Sequence, residues 1–146
     1  FDWMTSRYRT YTRLHVPLGS ELIAVHGSLA NDKLQNPSGD EGEVDVFEDL
    51  EMQVFATFTS VEPGEKHSLQ FEYLLAPDVV AAIESGSYGL EVFKQMGSTD
   101  HALTLDLDFD KNLLQASPGE NRDRWGDDIY SLNTYLDQDT TISISL

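Results

Sequence analysis

Residues Ala102 to Asp110 read Ala-Leu-Thr-Leu-Asp-Leu-Asp-Phe-Asp, with apolar and polar side chains taking almost strict turns. Only a conformation of period two makes sense of this run. As a β-strand it lines one face with Leu103, Leu105, Leu107 and Phe109, and the other with Thr104, Asp106, Asp108 and Asp110. A helix would scatter both sets around its circumference and bury carboxylates. The same pattern recurs along most of the chain, which therefore reads as antiparallel β-structure, apolar within and acidic without.

Tyr8 to Val16 alternates Thr10, Thr12, Leu14 and Val16 against Arg9, Tyr11, Arg13 and His15. Pro17-Leu18-Gly19-Ser20 has turn chemistry, and Glu21 to His26 resumes as a strand. These two strands pair as a hairpin or lie on facing sheets; the sequence leaves both open. Ser28 to Gly42, rich in Asn, Asp, Ser, Gly and Pro, reads as a long exposed loop. Val44 to Phe47 suggests a short edge strand, and Met52 to Phe58 a clear strand. Glu62-Pro63-Gly64-Glu65 predicts a turn, followed by alternation through Leu69, Phe71 and Tyr73.

Pro77 to Ser85 is the one plausible helix. Pro77 suits its first position, Asp78 complements the amino-terminal dipole, and Gly86 stops it. Tyr88 to Lys94 reads as a strand, Met96 to Thr99 as a turn, and Ala116 to Asp128 as a second long polar loop. Ile129 to Leu136 and Thr140 to Leu146 complete the pattern, with Ile142, Ile144 and Leu146 facing inward. The expected fold is all-β: an antiparallel β-sandwich of immunoglobulin-like or Greek-key type, with eight or nine strands and at most one short helix. No linker or internal repeat interrupts the chain, so it reads as one domain spanning residues 1–146. At 146 residues it is long enough to bury roughly two-thirds of its unfolded surface.

Charge narrows the function classes. Nine Lys and Arg stand against 26 Asp and Glu, a net −17. Such a surface repels phosphate backbones and anionic lipid, which argues against nucleic-acid and membrane-surface binding. It attracts cations, either as a diffuse atmosphere or at discrete calcium sites. The absence of cysteine excludes disulfides, thiolate metal sites and a cysteine nucleophile. No run approaches the roughly 18 apolar residues of a membrane-spanning helix, and no signal-peptide pattern is present. The chain opens at Phe1 and closes inside a strand-like run, which reads as a domain excised from a longer protein.

Several phrases fall in a familiar order: Tyr11-Thr12-Arg13-Leu14-His15-Val16-Pro17-Leu18-Gly19-Ser20-Glu21-Leu22-Ile23, Val61-Glu62-Pro63-Gly64-Glu65, Phe71-Glu72-Tyr73, and Tyr88-Gly89-Leu90-Glu91-Val92-Phe93-Lys94-Gln95-Met96-Gly97-Ser98. Together they resemble the carboxy-terminal β-rich region of an uncharacterised bacterial membrane-anchored family, domain of unknown function four-zero-one-two. The resemblance spans most of Tyr11 to Leu146, with Met96 standing where the family pattern has Pro. It implies an extracytoplasmic segment of a cell-surface protein whose anchor lies outside this chain. It implies no reaction, and no catalytic residue carries over.

The residues offer few sites. Asp40, Glu41, Glu43 and Asp45 open a run of seven acids that ends at Glu51, a cation-attracting segment and a possible calcium site. The run lacks the spacing of an EF-hand, and a solvated charge run is the plainer reading. Asp106, Asp108 and Asp110 lie about 7 Å apart along one strand face, too far for adjacent members to share one ion easily. Trp125, with Asp127 and Asp128 beside it, could stack on a sugar or a partner side chain. More often a loop Trp folds back to cap the core. Phe1 and Trp3 are expected to cover an open end of the sandwich.

His15, His26, His67 and His101 lack zinc-site spacing, and His15 could meet His26 only if their strands are adjacent. Arg9 and Arg13, flanking Tyr11, are expected to pair with nearby carboxylates. Gly86-Ser87-Tyr88-Gly89 lacks the spacing of a nucleophile elbow, so no catalytic residue is assigned. The resulting expectation is a non-catalytic structural or interaction module that presents its two long loops to a protein or cell-envelope partner. The rival reading is a calcium-dependent carbohydrate-binding module. No cofactor other than calcium is implied.

Overall fold

A computed structural model describes residues 6–94 and 101–146. Among the described residues there are ten strands: β1 (Tyr8–Pro17), β2 (Glu21–His26), β3 (Val44–Asp49), β4 (Met52–Val61), β5 (Gln70–Leu74), β6 (Ser87–Val92), β7 (Ala102–Asp108), β8 (Gln115–Ser117), β9 (Ile129–Tyr135) and β10 (Thr140–Ser145). One helix, α1 (Pro77–Glu84), interrupts them. Among the described residues every strand pairing is antiparallel, and no sheet closes into a barrel. The chain is all-β. Its residues group into two compact units, Phe1–Pro77 and Asp78–Leu146, with the boundary inside α1 rather than in a linker.

The first unit has two sheets, β1-β4-β3 and β2-β5. Central β4 is covered on both faces, with Val54, Phe55 and Ala56 wholly buried, which is why the apolar Phe55 stands between Gln53 and Thr57 on the face opposite Val54 and Ala56. On β1 the alternation holds: Val16 is buried and Thr10, Thr12 and Leu14 half-buried, while Arg9, Tyr11, Arg13 and His15 are exposed. The rings of Phe55 and Tyr73, 5.8 Å apart and tilted, pack one sheet on the other.

β1 and β2 are therefore not a hairpin, and His15 and His26 lie in different sheets. The chain changes sheet through a turn in which the Ser20 amide donates to the Pro17 carbonyl and Gly19 takes φ +91°. A register shift between Leu22 and Ala24 leaves both Ala24 and Val25 half-buried, where strict alternation would expose one of them. The turn at Glu62–Glu65 forms as its sequence implies, with the Glu65 amide bonded to the Glu62 carbonyl.

In the second unit, sheets β6-β10-β8 and β7-β9 enclose a core of Leu113, Tyr130, Ile142 and Ile144. Tyr88, Leu90 and Val92 from β6 and Leu105, Leu107 and Leu132 from the other sheet pack around it. Leu103, Leu105 and Leu107 are half-buried and Thr104, Asp106 and Asp108 exposed, as the opening pattern requires. The short helix ends at Glu84, with Gly86 at φ +96° just beyond it, and Lys111 donates to the carbonyls of Ile83 and Glu84 at 3.3 and 3.1 Å. A cation thus satisfies the carboxyl end of a helix that has none of its own there.

Two expectations need correction. The tenth strand, β8, overlaps the start of the stretch read as loop from Ala116 onward, because the partner edge of β10 orders Gln115–Ser117. Ser28 to Gly42 is not simply exposed, since Ser28, Asp32 and Asn36 are buried. Phe1, Trp3 and the turn at Met96 to Thr99 lie outside the described residues.

Candidate functional site

Two loop-and-sheet arrangements concentrate the polar chemistry. In the first unit, the loop from Ser28 to Glu43 is closed at its neck. The Leu29 amide donates to the Phe58 carbonyl, continuing the edge of β4 where β3 has ended. The Ala30 amide donates to the Asp40 carbonyl, and the Ser28 hydroxyl to the Gly42 carbonyl. Gly42 lies so close to the Leu29 carbonyl that a Cβ would collide with backbone. Within the loop the Asn36 side chain accepts from the Asp40 amide and donates to its carbonyl, at 2.9 and 2.8 Å. Composition marked this segment as loop, but hydrogen bonds make it a rigid one.

Asp32 anchors it. Its side chain is 1% exposed, yet it carries a charge. Arg9 forms an ion pair with Oδ2, Arg7 lies 3.7 Å from Oδ1, and the Leu34 and Gln35 amides also donate to Oδ1. Burial pushes this carboxyl up, but the Leu34 amide, Arg9, the Gln35 amide and Arg7 together hold it below its ordinary 3.8. Arg7 also bonds Glu62 at 2.9 Å, which with the nearby negative charge raises its pKa despite desolvation. Arg9 thus pairs with a carboxylate as expected. Arg13 instead lies over the Tyr11 ring, 5.7 Å from its centroid.

The acidic residues picked from the sequence fall beside this loop. Glu41, Glu43 and Asp45 line a hollow with Tyr11, Leu29, Ala30 and Phe58, and the Tyr11 hydroxyl donates to Asp45. That bond, then burial and the charge of Asp45, raise the Tyr11 phenol above its ordinary 10.0, against Arg13. Asp40 is held through its backbone by Asn36 and Ala30. Among the described residues no three His, Cys, Asp or Glu side chains come together in a way that could hold a metal ion.

In the second unit the loop after β8 folds over the outer face of β7 and β9. The register pairs Thr104 with Asn133 and Asp106 with Ser131, so these four side chains share one face. Glu120 reaches back to accept the Ser131 amide at 2.6 Å, and the Ser131 hydroxyl donates to Asp106 at 2.9 Å. The Tyr130 hydroxyl, rooted in the core, donates to the Pro118 carbonyl at 2.9 Å. Burial, reinforced by the charge of Glu120, raises the Tyr130 phenol above 10.0. Loop and strands together line a trough of about 440 Å³ with Thr104, Asp106, Glu120, Asn121, Arg124, Ser131 and Asn133.

Trp125 does not fold back as a cap; it stays 44% exposed. Asp127 accepts the Ile129 amide and gives its carbonyl to Leu113, while the Asp128 carbonyl takes the Phe109 amide. Both aspartates thus brace the loop against the neighbouring segment. Sequence reasoning passed over Glu120, Arg124 and Asn133. The outward period-two positions of β7 and β9 carried a signal for Asn133, but nothing local marked Glu120. No known protein family, curated protein or solved structure matches this chain.

Proposed function

We propose that this chain is a non-catalytic interaction module of a bacterial cell-surface protein, working outside the cytoplasm and presenting its loops to a protein or cell-envelope partner. The observation that carries the reading is that both long loops are fixed to strands by buried or half-buried polar groups, Asp32 in one unit and Glu120 with Tyr130 in the other. Such loops lose little further freedom when a partner binds, which favours recognition over flexible tethering. The extracytoplasmic location rests on the sequence resemblance alone. No described helix is long and apolar enough to cross a membrane.

The test is direct. The chain is immobilised and titrated with soluble peptidoglycan fragments, purified wall polysaccharides and envelope protein fractions. Saturable binding to one of them is expected. Flat responses to all would overturn the reading, as would turnover of any polysaccharide offered. The calcium-dependent version gains no support from the placement of Asp40, Glu41, Glu43 and Asp45. A calcium titration is expected to leave the melting temperature unchanged, whereas a rise of several degrees reversed by chelator would restore that version.

A further inference from the structure

We infer that the trough over β7 and β9 binds an uncharged polyhydroxylated ligand, a carbohydrate, without a metal ion. This rests on the interaction-module reading and names the site and the ligand class. The lining decides the class. Arg124, Asn121 and Asn133 offer N–H donors; Asp106 offers an acceptor; the Thr104 hydroxyl can do either, and the Ser131 hydroxyl, which donates to Asp106, accepts. An anion would meet the Asp106 carboxylate, and a cation would meet a guanidinium. A sugar hydroxyl donates and accepts at one atom, so it can use both kinds of partner at once.

The two acids of the trough play different parts. Glu120 Oε1 accepts the Ser131 amide, but Oε2 is buried and has no hydrogen-bond partner. An oxygen closed to water is equally closed to a ligand hydroxyl, so Glu120 serves as the brace that holds the loop over the strands and leaves Asp106 as the open carboxylate of the trough. Asp106 contributes in a complementary way. Its Oδ1 is fixed by the Ser131 hydroxyl, which sets the orientation of an otherwise exposed carboxylate before any ligand arrives. The volume, about 440 Å³, lies within the range usual for small-molecule sites.

The probe is an array of neutral oligosaccharides (glucans, mannans, galactans and N-acetylhexosamine oligomers) offered to the whole chain. Hits are followed by calorimetry and by amide chemical shifts. The expected result is saturable binding that survives chelator and changes little with sodium chloride, because a neutral ligand releases no counterions. Shifts should centre on Asn121, Ser131 and Asn133. Asn133→Ala and Asp106→Ala should each weaken binding by about tenfold or more, while Asp108→Ala, on the same strand but off the trough, should not. Melting temperature checks the fold, and Asn133→Ala, which removes a side chain in no fold-supporting hydrogen bond among the described residues, keeps the test decisive if Asp106→Ala unfolds.

An array without hits overturns the proposal, as does binding abolished by chelator or shifts confined to Trp125. If peptidoglycan or wall polysaccharide binds the parent and Asn133→Ala equally, the trough assignment fails while the interaction-module reading stands. If the parent binds no envelope component at all, that reading fails first.

Discussion

The two units reach stability by different chemistry. In the second, Tyr130 and Ile142 are wholly buried and join Leu113 and Ile144 in one apolar cluster. In the first, β4 supplies the apolar centre, but the long loop is held by a buried carboxylate shared between two arginines. An apolar cluster feels pH only through a titrating member such as Tyr130, and it relaxes poorly around voids. A charge cluster is sensitive to pH and tolerates a loss of volume better than a loss of partner. The difference shows how a chain of net −17 can use its few cations: three fall in the acid-free stretch from Met4 to Ser20, and two of these hold Asp32.

The contrast can be broken by experiment, starting with the largest effect. Ile142→Ala should destabilise the second unit by about 2–5 kcal/mol, because a tightly enclosed site relaxes only partly around a void. Urea denaturation, with hydrogen exchange of β6, β7, β9 and β10, measures it. A change below about 1 kcal/mol would mean that the cluster is not the unit's main support.

Asp32→Asn should lower the melting temperature at neutral pH and release exchange protection in residues 31–40. Its pH dependence is the sharper readout. A carboxyl held below 3.8 in the fold contributes stability that is present above that value and is lost as pH falls through its depressed titration. The parent should therefore weaken on acidification below about pH 4, and the variant should lose part of that dependence. Identical acid profiles would remove the ion cluster from the account.

Tyr130→Phe, which deletes only the bond to Pro118, should destabilise by about 0.5–1.5 kcal/mol. The phenol is raised in the fold, so its stabilising effect is complete below pH 10 and fades as pH climbs through the folded titration. Denaturation midpoints of parent and variant should converge above pH 10. The smallest effect belongs to Lys33→Ala. The pair of Lys33 with Glu65 is exposed on both sides and should change stability by no more than about 0.5 kcal/mol.

The strands and the helix were legible because period-two alternation and the Pro77-Asp78 start are local signals. What escaped was set by distant partners. Gln115–Ser117 has no pattern of its own and becomes β8 only because β10 offers an edge. Asp32 sits in a stretch whose composition says loop, and its burial depends on Arg7 and Arg9, which lie on or just before β1. Glu120 was likewise invisible, since its partner Ser131 comes from the next strand. Asp106 was visible as an outward residue, but the trough it lines needs the loop folded over it. Trp125 shows the opposite failure: a general preference for capping did not hold where the loop is braced by Asp127 and Asp128 instead.

The pinch at Gly42 has a practical reading. The base of the segment is stitched to β4, and at its far end a Cβ at Gly39 would touch nothing within 4 Å although the Gly39 amide still donates to the Asn36 carbonyl. A fluorescent label attached to the exposed side chain at position 38 would inherit a stiff pedestal, whereas a single added methyl at position 42 would pry the pedestal off its mount. Tolerance to engineering here is decided by distance from the stitching and not by surface exposure.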